Sequence, residues 1–195
     1  MSARDDILAA VRAALADATP EPSPVVSPVG VVPNDLVGLF AERVADYRAV
    51  VERCSVADLP ARVAAALPPG ARVVVPSGLG LDVPGQVVDT GLSSAELDAL
   101  DAVVTRAALG IAETGTIVLD HGPDQGRRAI SLVPDVHVCI VTEDQVVADV
   151  PDAMGRLDPS RALTWISGPS ATSDIELDRV EGVHGPRTLQ VLVVR

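Results

Sequence analysis

The chain has 195 residues, 48% of them hydrophobic but only 2% aromatic, and a formal net charge of −12 at pH 7. Its 15 basic residues are all arginines, which excludes a lysine Schiff base and a lysine-containing phosphate loop. The acidic balance argues against nucleic acid as a partner, because affinity for a phosphate backbone depends on clustered cations.

The N-terminal part is predicted to form a helix and a connector. Apolar residues recur at helical spacing over residues 7–15, whereas residues 19–33 contain five prolines and favour an extended path. No apolar core with a small-residue cleavage site is present, so a signal peptide is not expected. We therefore predict a helix and Pro-rich connector over residues 1–33 and a single α/β domain over residues 34–195.

Two helices are predicted at the start of that domain. Asn34 is a candidate N-cap for a helix that continues to about residue 53, because its apolar residues repeat at spacings of three and four. A shorter helix is predicted over residues 55–67 and is ended by the prolines and glycine at 68–70. The longer helix is expected to pack on the main core.

After residue 70 the pattern changes to short apolar runs separated by glycine, proline and aspartate. Several runs are apolar throughout, which is typical of strands covered on both faces, and helices are predicted at residues 94–100 and 150–157. We predict a Rossmann-like α/β/α sandwich with a mostly parallel sheet. The expected strands are residues 72–75, 87–89, 102–105, 115–119, 136–141, 163–166 and 189–194.

Composition also bears on cofactors and location. Cys54 and Cys139 are far apart and neither belongs to a Cys-x-x-Cys motif, so these thiols cannot form a zinc site or an iron–sulfur cluster alone. No uninterrupted apolar stretch reaches the roughly 18 residues that span a bilayer. We expect a cytoplasmic protein with reduced thiols, no membrane span and no cofactor of its own.

The first candidate site is the turn before the strand at 115–119. Glu113 is followed by Thr114, Gly115 and Thr116, which places a carboxylate and two hydroxyls at the entrance to the sheet. Glycine lets a ligand approach the backbone, and a carboxylate beside buried strands can act as a base or nucleophile. Alternatively, the threonines only satisfy backbone groups of the turn.

A second candidate is the polar, turn-rich segment that follows the strand at 163–166. If it is extended, Asp174 and Glu176 face the same side. If Thr172 or Ser173 caps a short helix, its free N–H groups face an anion instead. The candidate ligand-binding residues are Gly168, Pro169, Ser170, Thr172 and Asp174.

A third candidate surrounds His184, which lies just before Gly185 and Pro186. Its imidazole could transfer protons or donate to a carboxylate, or it could be a hydrogen-bonded structural residue. Arg187 is always charged and is a candidate partner for an anion. No metal site is expected, because the other two histidines lie in a turn and within a strand; these are His121 and His137.

Four segments together resemble the lactate-utilisation protein C family, the single-domain members of the LUD group. They are IAETGTIVL (111–119), SLVPDVHVCIV (131–141), ISGPSATSDIEL (166–177) and GVHGPRTLQVLVV (182–194). Their order and spacing match that family from about Asn34 to the C-terminus. The resemblance implies a fold similar to the ribose-5-phosphate isomerase and CoA-transferase superfamily, with the candidate residues lining a pocket.

The same resemblance implies a role in the oxidation of L-lactate to pyruvate. In that family's system this kind of subunit acts beside two other proteins, one with iron–sulfur ligands and one with cysteine-rich motifs. The chain is therefore expected to be a cytoplasmic subunit without a redox centre. Any iron–sulfur clusters would lie in a partner.

Two other functions remain open. CoA transferases of the wider superfamily use a glutamate followed after one residue by glycine as nucleophile, and Glu113-Thr114-Gly115 is similar. The chain could thus be a self-sufficient isomerase or acyl/CoA-transferase-type enzyme. It could also be a regulatory module that binds a small carboxylate or sugar phosphate. In each case we predict that segments 112–116, 167–174 and 182–187 meet around one cavity.

Overall fold

The computed structural model of the protein describes residues 3–17, 34–172, 180–181 and 185–195. Two compact units are present, Met1–Gly30 and Val31–Arg195. The first contains helix α1, Ala3–Ala14, whose first turn carries two aspartates. Negative charge at that position is stabilised by the helix dipole. None of the residues of α1 is buried.

The second unit alternates short helices and strands. In chain order its elements are α2 (Leu36–Asp46), β1 (Val50–Cys54), α3 (Leu59–Ala66), β2 (Val73–Val75), β3 (Gln86–Val88), α4 (Ser94–Asp98), β4 (Ala102–Arg106), β5 (Leu109–Ile111), β6 (Thr116–Leu119), β7 (Val136–Thr142), β8 (Val146–Val147), α5 (Val150–Arg156), β9 (Thr164–Ile166), β10 (Ala171–Thr172), β11 (Val180–Glu181) and β12 (Thr188–Val194). Single turns of 3-10 helix lie at Arg128–Ser131 and Glu143–Gln145.

Six strands form the main sheet in the order β1-β12-β7-β4-β2-β3. Every neighbouring pair is parallel. On one face, Val138 and Ile140 of β7 pack against α3. On the other face, Cys139 and Val141 pack against α2 and β6. Strand β7 is thus buried on both sides, as its apolar run indicates, and the predicted Rossmann-like α/β fold with a mostly parallel sheet is confirmed.

A second sheet has four strands in the order β8-β5-β6-β9, and its strand β6 packs on the main sheet. Ile117 and Leu119 of β6 face the main sheet. Val118, between them, faces away from the main sheet and is buried in a cluster that includes Ala153 of α5. Two of the predicted strands, β6 and β9, therefore belong to a separate and partly antiparallel sheet. An apolar run alone does not distinguish the two sheets, because β6 is covered on both faces in either arrangement.

The predicted helix over residues 34–53 is wrong in its last part. Helix α2 ends at Asp46, Arg48 adopts a left-handed φ of 67°, and strand β1 follows and pairs with β12. The β-branched residues of β1 gain ladder hydrogen bonds there, which outweigh the helical spacing of its apolar residues. The N-cap is Asp35 rather than Asn34, and the Asp35 carboxylate accepts the Gly38 N–H at 2.7 Å.

An ion pair fixes the end of β3 to the segment that precedes the 3-10 turn at Arg128–Ser131. Arg127 donates from Nε and Nη2 to the two carboxylate oxygens of Asp89, at 2.7 and 2.9 Å. The Asp89 side chain is only 8% exposed. The Arg127 guanidinium and the backbone N–H groups of Gly91 and Leu92 hold the pKa of Asp89 below its usual value, despite burial.

Replacing Arg127 with glutamine is expected to lower the free energy of unfolding by about 1–3 kcal/mol, because it leaves a mostly buried carboxylate without its charged partner. Urea unfolding at pH 7 measures this. The matched control is Arg62→Gln, which breaks an exposed pair with Glu52 at 3.5 Å and should cost less than about 1 kcal/mol. Equal losses in the two variants would contradict a structural role for Arg127. Because the pKa of Asp89 is lowered, the stability lost in Arg127→Gln persists at neutral pH. It disappears only when acid protonates the Asp89 carboxylate.

Candidate functional site

A cavity of about 210 Å³ lies where the amino ends of β7 and β12 meet the edge strand β9. This volume is below the roughly 300–1,000 Å³ of pockets for drug-sized ligands, so it suits a smaller molecule. The lining residues are Arg128, Ser131, Leu132, His137, Thr164, Trp165, Ile166, Ser167, Gly168, Pro169, Ser170, Gly185, Pro186 and Leu189.

One cation and several hydroxyls supply the polar lining. Arg128 is exposed at the cavity and has no carboxylate partner among the described residues. Ser131 is buried, and its hydroxyl donates to the Arg128 carbonyl at 3.0 Å. The 3-10 turn therefore brings both side chains to one side of the cavity. A guanidinium without a carboxylate partner can bind a carboxylate or phosphate.

His137 is the most deeply buried polar residue of the lining, with 1% of its surface exposed. Its Nε2 lies 2.8 Å from the Thr105 hydroxyl on β4. Burial lowers the pKa of His137 to about 4, so the ring is neutral at physiological pH. Burial also raises the pKa of Cys139 to about 12, and that side chain stays a thiol.

A second histidine supports the lining from behind. His121 Nδ1 lies 2.9 Å from the Gly126 carbonyl, and Nε2 lies 2.9 Å from the Thr164 hydroxyl. A carbonyl only accepts, so Nδ1 carries a proton. His121 thereby fixes the orientation of a hydroxyl on β9.

The Glu113 turn is a hairpin between β5 and β6, and it does not line the cavity. The Glu113 side chain is exposed. Gly115 has a φ of 60°, and a Cβ there would lie 2.5 Å from the Arg43 carbonyl carbon of α2. This glycine therefore permits close packing of the hairpin against a helix.

The hairpin is nevertheless joined to the polar segment after β9 by a chain of hydroxyls. Thr114 Oγ1 lies 2.8 Å from Thr116 Oγ1, which lies 2.8 Å from Ser167 Oγ. Thr114 and Thr116 are thus neighbours of a cavity-lining segment without lining the cavity themselves.

The two Gly-Pro turns converge on the cavity. Gly168 and Pro169 line it together with Gly185 and Pro186, and Ser170 donates its backbone N–H to the Pro186 carbonyl at 2.8 Å. Gly168 has a φ of 87°, and a Cβ there would lie 2.5 Å from Tyr47 Cβ. Of the three segments predicted to meet around one cavity, the described parts of 167–174 and 182–187 therefore lie together, whereas segment 112–116 does not line the cavity.

The remaining candidate residues are placed differently. The backbone of Thr172 pairs with Val180 in the small β10–β11 ribbon. Asp174 and His184 lie outside the described residues. Arg187 is exposed and pairs with Asp135 at 3.2 Å, and it is not among the lining residues of this cavity.

Sequence reasoning missed Arg128, Ser131, His137 and Thr164. The signal for His137 is its alternation with Cys139 along β7, which indicates that both side chains point to the same face of the main sheet. Within the described ranges there is no group of three His, Cys, Asp or Glu side chains that could hold a metal ion. In the same ranges, no helix has the length and apolar character needed to cross a membrane.

Comparison with known proteins identifies a relative that covers nearly the whole chain and others that cover about half of it. A protein of Deinococcus radiodurans named Lactate utilization protein C is 47% identical over 206 aligned residues, which cover 98% of this chain and 95% of that protein. Lactate utilization protein C of Bacillus licheniformis is 36% identical over 100 residues, covering 47% of this chain and 41% of that protein. The second match thus spans less than half of each chain.

A solved structure and a family model agree with these relatives. The crystal structure of a DUF162 family protein from Deinococcus radiodurans is similar to this chain, with a TM-score of 0.71 and 45% sequence identity. The match covers 83% of this chain and 97% of that one. The model of the LUD domain matches residues 91–194. This chain belongs to the LUD domain family.

Proposed function

We propose that this chain is a cytoplasmic, non-redox subunit of an iron–sulfur-dependent system that oxidises L-lactate to pyruvate, and that its cavity binds a small carboxylate. The observation that carries the proposal is its near full-length similarity to a protein named Lactate utilization protein C. The chemistry of the cavity supports it independently. Arg128 offers a cation, and hydroxyls and a neutral imidazole lie on the same lining.

The positions of the two thiols support the assignment of the redox centres to partner proteins. Oxidation of lactate to pyruvate removes two electrons and two protons, so the system needs an electron acceptor. Cys54 and Cys139 belong to cores on opposite faces of the main sheet, and both are buried and unbridged. These thiols cannot share a cluster, and we assign the iron–sulfur clusters to the partner proteins. This chain would bind and orient the substrate beside them.

Reconstitution tests the proposal. The chain is combined with its iron–sulfur and cysteine-rich partner proteins, and reduction of an artificial electron acceptor by L-lactate is followed. We expect the chain to co-purify with the partners and to raise lactate-dependent reduction well above the rate of the partners alone. A chain that neither associates with them nor changes that rate would refute the subunit role. Lactate binding without association would then favour a regulatory module.

The alternative of a self-sufficient acyl-transfer enzyme depends on Glu113. That carboxylate is exposed on the hairpin between β5 and β6 and lies outside the cavity lining. No other feature of the described residues favours this alternative, and we do not adopt it.

Replacing Arg128 with glutamine is expected to weaken binding of L-lactate about tenfold, since a hydrogen bond to a charged group contributes about 1.5 kcal/mol or more. Titration calorimetry measures the dissociation constant. The control is Arg62→Gln in helix α3, which packs on the opposite face of the main sheet. This variant should bind like the unmodified chain. A loss of affinity in Arg187→Gln but not in Arg128→Gln would instead identify Arg187 as the carboxylate partner.

A further inference from the structure

His137 has one ring nitrogen directed to the protein and one available to a ligand. Nε2 contacts the Thr105 hydroxyl at 2.8 Å, and Nδ1 has no hydrogen-bond partner among the described residues. No described side-chain nitrogen or oxygen is both inaccessible and unpartnered. Nδ1 is therefore not fully enclosed, although only 1% of the residue is exposed, and the ring lines the cavity.

The partner of Thr105 decides which nitrogen carries the proton. The Thr105 hydroxyl has a single hydrogen, which it donates to Cys139 Sγ at 3.8 Å. With its hydrogen on Cys139 Sγ, Thr105 accepts a hydrogen bond from His137, and this arrangement places the proton of the neutral ring on Nε2. Nδ1 consequently presents a lone pair to the cavity. A ligand group that meets this nitrogen must be a hydrogen-bond donor.

We propose that His137 Nδ1 accepts the hydroxyl hydrogen of a 2-hydroxy carboxylate whose carboxylate is bound by Arg128. The inference rests on the proposed function and names the specificity determinant of its site. A 2-oxo acid such as pyruvate has the same carboxylate but a carbonyl in place of the hydroxyl. A carbonyl cannot donate, so it meets the lone pair of Nδ1 unfavourably. The site therefore prefers the reduced acid over its oxidised product.

Burial keeps this acceptor available over the physiological range. The pKa of His137 is lowered to about 4 by burial, so the ring does not become a donor on both nitrogens at neutral pH. Thr105 acts as a positioning residue, because its hydroxyl selects the tautomer without lining the cavity. Selectivity should therefore depend on Thr105 even though it does not contact the ligand.

Binding of L-lactate and pyruvate to the unmodified chain and to two Thr105 variants tests the inference. Trp165 is the one tryptophan of the chain and lines the cavity, so its fluorescence reports occupancy. We expect lactate to bind about tenfold more tightly than pyruvate, a difference typical of one buried hydrogen bond. Thr105→Ser should keep this ratio. Thr105→Val should bring it close to one while both acids still bind.

Pyruvate that binds as tightly as lactate to the unmodified chain would overturn the inference, and so would a ratio unchanged in Thr105→Val. If Thr105→Val does not fold, ¹⁵N NMR of the unmodified chain decides, with the His137 signals identified by His137→Gln. The expected spectrum has a protonated Nε2 and an unprotonated Nδ1, and the reverse would refute the inference.

The two proposals fail in different ways. If the reconstituted complex oxidises lactate but the chain shows no preference between the two acids, the role of His137 is wrong and the proposed function stands. If the chain prefers lactate but does not join the complex, the subunit role is wrong and the specificity determinant stands.

Discussion

Replacement of Gly115 with alanine is expected to lower the free energy of unfolding by about 2–5 kcal/mol, which urea unfolding measures. Two costs combine. The φ of 60° is unfavourable for alanine, and the new Cβ would lie 2.5 Å from the Arg43 carbonyl carbon and 2.7 Å from Val44 N. These are backbone atoms of α2, so they cannot move without displacing Phe40 and Val44 from the core.

The matched control is Gly155→Ala in helix α5, where a Cβ meets nothing within 4 Å. That change should leave stability unchanged or raise it by up to about 1 kcal/mol, because alanine favours the helix. A Gly115→Ala protein that is fully stable but no longer binds lactate would show that this glycine serves a ligand instead of packing.

Acid is expected to destabilise the protein by about 3 kcal/mol between pH 7 and pH 4 through His137 alone. Burial lowers the pKa of His137 from 6.5 to about 4 in the folded protein. Between these two values the unfolded chain binds a proton at this residue and the folded chain does not. Stability is therefore greatest above pH 6.5 and declines as the pH falls toward 4.

Urea unfolding at several pH values, compared between the unmodified chain and His137→Gln, isolates this contribution from the carboxylates. The variant should show a pH dependence about 3 kcal/mol smaller over that interval. An NMR titration of the unmodified chain provides a second measurement if the variant is too unstable. A His137 imidazole that titrates at its ordinary pKa, or an identical pH dependence in the two proteins, would contradict the buried neutral ring.

The sequence predicts much of this fold because its strands are short, apolar and well separated by turn residues. Strand β7 illustrates the success, because its largely apolar run of seven residues predicts a strand that is covered on both faces. Strand β1 illustrates the failure. Its apolar residues continue the helical spacing of α2, and only the pairing with β12 makes it a strand. Tertiary contacts of that kind cannot be deduced from local periodicity.

The candidate site was predicted in part for a related reason. Gly-Pro turns such as Gly168-Pro169 interrupt apolar strands and are visible in the sequence, and the structure places this pair at the cavity. Arg128 reaches the cavity from a turn outside the four family-like segments. His137 lies within one of them, in an apolar run that indicates a buried strand. Gly115 belongs to a conspicuous motif but packs on α2. A glycine required for packing and one required for a ligand look the same in a sequence.

A crystal structure of the chain grown at a saturating concentration of L-lactate tests the central claim most directly. The account predicts one lactate in the cavity between the amino ends of β7 and β12 and strand β9, with its carboxylate at Arg128 and its hydroxyl at His137 Nδ1. Lactate bound instead beside Glu113, or an empty cavity under conditions in which Trp165 fluorescence indicates saturation, would contradict it.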